Sequence, residues 1–132
     1  QEFEYVMPSS VVQWTGALET GRRAMQNRDQ KGGFSLRLYH SITPKTESSC
    51  YYFWTPLNGY KPQEEEATKV LHKEIAVTFE EDVIFLESQQ ACMAATLEQN
   101  FVNIRHDSAR VRARRAIEEM INEELAAKVA AE

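Results

Sequence analysis

The sequence predicts an α+β fold in which an antiparallel sheet is followed by two long helices. Three observations predict it. Up to about residue 60, short runs alternate apolar and polar side chains and are separated by turn residues, as in half-buried strands. Between Pro62 and Gln90 there is neither Gly nor Pro, and apolar residues recur near helical spacing. A second helical pattern follows over about 107–130.

The strands are predicted within about 2–60 and are closed by turn residues. The expected runs are 2–7, 11–15, 34–40 and 49–54, closed in turn by Pro8, by Gly16, by the polar link 43–48, and by Pro56 with Asn58-Gly59. The last two strands are joined by a short polar link, so we expect them to form an antiparallel hairpin. Residues 19–33 are rich in charge and glycine, which indicates an irregular exposed connection.

The first helix is predicted over about 62–90, because acidic residues 64–66 suit the positive end of its dipole. Its apolar stripe is expected to run through Phe79, Val83 and Leu86. Residues 91–106 are less regular and indicate a connection. Asp107 or Ser108 is the expected N-cap of the second helix.

Composition limits the possible functions. The chain has 132 residues, 42% of them hydrophobic and 27% charged, which is typical of globular proteins. Its net charge of -5 argues against a general nucleic-acid binder, which needs a basic surface. No apolar run is long enough to span a membrane. With only two cysteines we expect a cytoplasmic protein without disulfides, and a buried Cys50 in mid-strand.

Asp82 is the residue whose position most needs explanation. It follows Glu80 and Glu81 and lies beside the predicted apolar stripe, where a carboxylate is costly unless it is paired or binds a cation. From spacing alone, a solvated or salt-bridged helix face is the simpler interpretation. The three histidines, residues 40, 72 and 106, are too far apart for a local ligand pair, and no Cys-x-x-Cys or phosphate loop occurs.

The strand Tyr51-Tyr52-Phe53-Trp54 also attracts attention. Its alternation places Tyr51 and Phe53 on one face and Tyr52 and Trp54 on the other. One face is expected to pack beneath the helices, and the other would line a cavity for a flat apolar ligand. A role confined to the core remains open. The candidate pocket residues are Tyr51, Phe53 and His40.

Taken together, three segments resemble the carboxy-terminal part of the catalytic domain in Rieske-type oxygenases, in the branch of vanillate O-demethylase and related aromatic or N-methyl demethylase components. The segments are LYHSITPKTE (38–47) with YFW (52–54), FEEDVIFLESQQ (79–90), and the stretch from Asp107 to Arg115. The resemblance covers about residues 34–125. It implies a helix-grip sheet, as in START-like domains, that holds a mononuclear Fe(II) site of two histidines and one carboxylate.

The residue that matches the family's carboxylate ligand is Asp82. The resemblance further implies a Rieske [2Fe–2S] cluster, a reductase or ferredoxin as electron donor, a small aromatic or N-methyl substrate, and a homotrimer. It implies O₂- and reductant-dependent demethylation or hydroxylation by the full-length enzyme.

Three departures from the family pattern bear on this interpretation. The family's Asp-x-x-His-x-x-x-x-His stretch and its Rieske Cys-x-His and Cys-x-x-His pairs do not occur in this sequence, and Tyr51 stands where the family often has His. The chain begins in a strand pattern without Met, so we expect it to be a segment of a longer protein and inactive alone. The alternatives are a non-enzymatic helix-grip module that binds a ligand or a partner, and a cofactor-free enzyme with Asp82 or His40 as general base.

Overall fold

The computed structural model describes residues 1–21, 32–96 and 102–131. The chain divides into two compact units, residues 1–97 and 98–132, which are described separately below. The elements are β1 (Glu2–Val6), β2 (Ser10–Ala17), β3 (Phe34–Thr46), β4 (Ser49–Asn58), α1 (Glu65–Ala94), a short 3₁₀ turn (Arg105–Asp107) and α2 (Ser108–Ala130). The predicted α+β class, a sheet followed by helices, is confirmed. The predicted connection over 19–33 falls largely outside the described residues.

The four strands form one antiparallel sheet in the order β1-β2-β3-β4. The predicted hairpin of the last two strands is therefore confirmed. Strand β3 has neighbours on both sides, and its Leu36 and Leu38 are the buried hydrophobic residues of the described chain. Their side chains and that of His40 share one face of the sheet, because alternate residues of a strand point the same way.

Strand β3 is longer than predicted. Its pairing with β2 ends where Ser10 meets Ser41, but its pairing with β4 continues to Thr46, with an irregularity beside Pro44. Pro44 is tolerated there because the β2 side of the strand no longer needs a backbone donor. Cys50 lies opposite Pro44 in this two-stranded extension and is exposed. The predicted burial of Cys50 is therefore wrong.

Strand β4 also continues past its predicted end. It runs through Pro56 to Asn58, because it is an edge strand and the missing N–H of a proline costs nothing on the unpaired side. Gly59 follows in close contact with β3, where its N–H donates to the Ser35 carbonyl at 3.0 Å. A β-carbon at Gly59 would lie 2.9 Å from Ser35 Oγ and 3.2 Å from the Ser35 carbonyl oxygen, so glycine suits this close approach.

Helix α1 is attached to the end of β4 by the side chain of Asn58. The Asn58 amide donates to the Lys61 carbonyl at 3.1 Å and to Thr68 Oγ1, in the second turn of the helix, at 3.0 Å. Its oxygen accepts from the backbone N–H groups of Tyr60 and Lys61, both at 3.1 Å. Because these bonds shape the turn, the helix begins at Glu65 rather than near residue 62. It ends at Ala94, four residues later than predicted.

The face of α1 that packs on the sheet lies earlier in the helix than predicted. Leu71, Ile75 and Phe79, spaced by one turn, are half-buried. Val83 and Leu86 are 43% and 57% exposed. The predicted stripe is therefore correct at Phe79 and wrong beyond it, because the contact with the sheet is made by the first half of the helix.

In the second unit, Asp107 precedes α2 as predicted but does not cap it with its side chain. Its carboxylate accepts instead from the Ile104 N–H at 2.9 Å, which closes the 3₁₀ turn, and it lies 3.8 Å from Arg110. Across the described part of the chain, neither helix is long and apolar enough to cross a membrane.

Candidate functional site

An aromatic cluster lies between the sheet and α1. His40 on β3 faces Trp54 on β4, and Tyr52 lies two residues before Trp54 on the same face. The ring of Phe79, on α1, lies 5.9 Å from that of His40, 5.8 Å from that of Tyr52 and 5.0 Å from that of Trp54, centroid to centroid. Phe79 therefore covers all three rings. His72, two turns earlier on α1, lies over Trp54 at 4.8 Å.

A chain of hydrogen bonds crosses the sheet beneath this cluster. Tyr52 Oη lies 2.7 Å from His40 Nδ1, and His40 Nε2 lies 3.3 Å from Gln13 Oε1 on β2. The Gln13 amide nitrogen in turn donates to Thr15 Oγ1 at 2.9 Å. Both ring nitrogens of His40 are thus engaged, and the imidazole is held nearly parallel to the Tyr52 ring, at 7°.

Asp82 lies on the helix next to this cluster. It follows Phe79 by three residues and Ile75 by seven, so it continues the sheet-facing side of α1 by one turn. Its side chain is exposed. Burial of the Tyr52 ring, and then the negative charge of Asp82, raise the pKa of Tyr52, while burial lowers the pKa of His40. The Asp82 carboxylate therefore acts electrostatically on the Tyr52 hydroxyl.

The structure brings two of the four predicted site residues to one place. His40 and Asp82 lie on the helix side of the sheet. Tyr51 and Phe53 lie on the opposite face, with their rings 6.2 Å apart and 50% and 58% exposed. Lys45 lies 5.2 Å over the Tyr51 ring on that face. The pocket role of Tyr51 and Phe53 stays a prediction, and on the structure it would belong to a different surface from that of Asp82.

Sequence reasoning did not select Tyr52, Trp54 or Gln13 as site residues. The alternation of the aromatic strand does place Tyr52 and Trp54 together, as the structure confirms. What was missing is the register, which sets Trp54 opposite His40 and so decides which aromatic pair faces the helix.

The donor atoms near Asp82 bear on the metal site that the resemblance implies. Among the described residues, no group of three or more His, Cys, Asp or Glu side chains could hold a metal ion. Both His40 nitrogens already have partners. The chemistry of a carboxylate suits Fe(II), so Asp82 fits as one ligand, and the remaining ligands would come from outside the described residues.

The comparisons with known proteins point to one family. A family model described as the vanillate O-demethylase oxygenase C-terminal domain matches residues 1–123. A vanillate O-demethylase oxygenase subunit from a Pseudomonas species is 29% identical over 93% of this chain and 37% of its own length. The oxygenase component of a chloroacetanilide N-alkylformylase from Rhizorhabdus wittichii is 32% identical over 78% of this chain and 30% of its own length.

A third relative is a toluene-4-sulfonate monooxygenase system iron-sulfur subunit from Comamonas testosteroni, 23% identical over 82% of this chain and 31% of its own length. The chain thus spans about a third of the length of these curated relatives. No solved structure matches it. Because the family model covers nearly the whole sequence, the chain belongs to the vanillate O-demethylase oxygenase C-terminal domain family.

Proposed function

We propose that this chain is the carboxy-terminal part of the catalytic domain of a Rieske-type oxygenase component. The full-length protein would use O₂ and a reductant to demethylate or hydroxylate an aromatic or N-methyl substrate. The observation that carries the proposal is the position of Asp82. The resemblance implies a carboxylate ligand at this point of the helix, and Asp82 lies on the sheet-facing side of α1, beside the aromatic cluster.

In this proposal Asp82 is the carboxylate ligand of a mononuclear Fe(II), and the two histidine ligands lie outside this chain. Bound there, the metal would supply O₂ chemistry beside the substrate. The chain's own part is to position Asp82 and provide a wall of the pocket. Phe79 fixes that turn of α1 on the sheet through its ring contacts, and Tyr52 and His40 form the polar floor.

The names of the relatives support the remaining parts of the proposal. One is an iron-sulfur subunit of a monooxygenase system and two are oxygenase subunits or components, so we infer a Rieske [2Fe–2S] cluster elsewhere in the protein and a reductase or ferredoxin as electron donor. We also propose a homotrimer and a cytoplasmic location. The two free, exposed cysteines suit a reducing compartment. The 132-residue chain alone would retain no iron.

Iron analysis of the full-length protein tests the proposal. Asp82→Ala should lose the mononuclear iron and the oxygenase activity, and the isosteric Asp82→Asn should weaken iron binding. Glu81→Gln is the matched control, because it removes a neighbouring exposed carboxylate without touching Asp82. Full iron content and full activity in Asp82→Ala would refute the assignment. A wild-type protein without stoichiometric iron would favour the non-enzymatic binding module instead.

A further inference from the structure

The hydrogen bonds beneath the aromatic cluster have a definite direction. The Gln13 amide nitrogen donates to Thr15 Oγ1, so Gln13 turns its oxygen toward His40. A carbonyl oxygen only accepts, and His40 Nε2 must therefore carry the proton. A neutral imidazole has one N–H, which leaves Nδ1 as an acceptor. The Tyr52 hydroxyl consequently donates its only proton to His40 Nδ1, over 2.7 Å.

His40 is kept in this neutral form by its surroundings. A charged imidazolium would carry a proton on Nδ1 as well and would donate it to the Tyr52 oxygen, which would leave the Tyr52 O–H to donate elsewhere. Burial opposes that state, since it lowers the pKa of His40. Near neutral pH the hydrogen bonds therefore keep their direction, in which Tyr52 donates to His40 and His40 donates to Gln13.

The remaining hydrogen-bonding capacity of this side of the site is that of an acceptor. With its proton committed, the Tyr52 oxygen offers lone pairs only, and Tyr52 is 40% exposed, so a ligand can reach it. A ligand group that donates would be bound here. A group that only accepts would face lone pairs without a proton between them.

We propose that Tyr52 is a specificity-determining residue, whose oxygen accepts a hydrogen bond from a hydroxyl or N–H group on the substrate. The class of substrate is thus an aromatic compound with a free phenolic hydroxyl, or an amine or amide with an N–H, lying against the Phe79 ring. A sulfonate or carboxylate is disfavoured at this position. The proposal rests on the proposed function for its aromatic substrate, but not for the direction of the hydrogen bonds.

Two probes that differ at one ring substituent, a hydroxyl or a methoxy group, test it. 2-Methoxyphenol and 1,2-dimethoxybenzene share the ring and one methoxy group, and only the first carries a hydroxyl. Their dissociation constants are measured calorimetrically with the full-length protein in the absence of reductant. The wild type should bind 2-methoxyphenol about five- to tenfold more tightly, the contribution of one neutral hydrogen bond. In Tyr52→Phe the ratio should fall to about one.

Two further variants distinguish this role from a structural one. Tyr39→Phe, which removes a hydroxyl bonded to Ser10 on the other face of the sheet, should leave the ratio unchanged. In His40→Phe the Tyr52 hydroxyl no longer donates to His40, so it can donate to a ligand. Binding of 1,2-dimethoxybenzene should therefore improve, and the ratio should fall. If Tyr52→Phe does not fold, His40→Phe decides the outcome.

Several results would overturn the inference: a wild-type ratio near one, no saturable binding of 2-methoxyphenol, or a ratio that Tyr52→Phe or the deciding His40→Phe leaves unchanged. The binding ratio is independent of iron. A protein that retains no iron but shows the expected ratios supports this inference while contradicting the proposed function. An iron-retaining protein with a ratio near one does the opposite.

Discussion

Replacing Asn58 with alanine should free the start of α1 from the end of β4. The side chain makes four hydrogen bonds, two as donor to the Lys61 carbonyl and Thr68 Oγ1 and two as acceptor from the N–H groups of Tyr60 and Lys61, all at 3.0–3.1 Å. Asn58 is half-buried, so water replaces only part of what is lost. No other described hydrogen bond between side chains joins β4 to the helix.

The magnitude follows from these bonds. A neutral hydrogen bond contributes about 0.5–1.5 kcal/mol net, and the bonds to exposed backbone are at the low end because water can replace them. Four bonds in a half-buried turn therefore amount to about 2–3 kcal/mol. Thr68→Val removes the bond from Asn58 and the weaker bond from Thr68 to the Glu64 carbonyl at 3.3 Å, so we expect about 1 kcal/mol.

Hydrogen exchange of the full-length protein, read by mass spectrometry over residues 59–71, measures this local opening. The expected loss corresponds to about 30- to 150-fold faster exchange in Asn58→Ala. Asn58→Asp keeps both acceptor bonds and loses both donor bonds, so it should be intermediate. In a double-mutant cycle, Asn58→Ala and Thr68→Val should couple by about 1 kcal/mol. Exchange within threefold of the wild type in Asn58→Ala, or strict additivity in the cycle, would refute the reasoning.

Three further changes have expected outcomes. Gly33→Ala should lower the free energy of unfolding by about 1–3 kcal/mol, because its β-carbon would overlap the carbonyl oxygen of Ala17. Urea unfolding measures this change, and an unchanged midpoint contradicts it. Phe79→Ala should cost about 2–3 kcal/mol by the same assay, less than a fully buried phenylalanine. Stability should fall below about pH 6.5, because His40 takes up a proton at that pH when the chain is unfolded but only at lower pH when it is folded, where burial lowers its pKa. It should also fall above about pH 10, because Tyr52 loses its proton at that pH in the unfolded chain but only at higher pH in the folded one, where its pKa is raised. Urea midpoints measured across pH check both losses of stability. His40→Gln should reduce the loss at acid pH, and Tyr52→Phe should reduce the loss at alkaline pH.

The elements were predictable because their signals are local. Alternation within each strand and the spacing of Leu71, Ile75 and Phe79 need no knowledge of the rest of the molecule. The strand ends were not predictable in this way. Pro44 and Pro56 usually indicate breaks, but each lies where one side of the strand has no partner. That depends on which strands pair, which is a property of the whole sheet.

The site was half predictable for a similar reason. His40 and Asp82 stood out individually, but the choice between Tyr51 and Tyr52 depends on register, and a slip of one residue exchanges the two faces of a strand. The link from His40 to Gln13 joins positions 27 residues apart, through the pairing of β2 with β3. Neither contact has a local pattern in the sequence.

The position of Asp82 depends on two attachments of α1 that differ in kind. Thr68 is held by a hydrogen bond to the sheet, and Phe79, three turns later, is held by ring contacts. Asp82 lies about 21 Å along the axis from Thr68 but only one turn from Phe79. A loosened first turn therefore leaves the Asp82 carboxylate near Tyr52, provided that Phe79 stays in place. Loss of the Phe79 ring frees the very turn that carries Asp82. The Asn58 bonds consequently serve the stability of the helix, whereas the aromatic contact determines where the candidate ligand lies, and the two contributions can be changed separately.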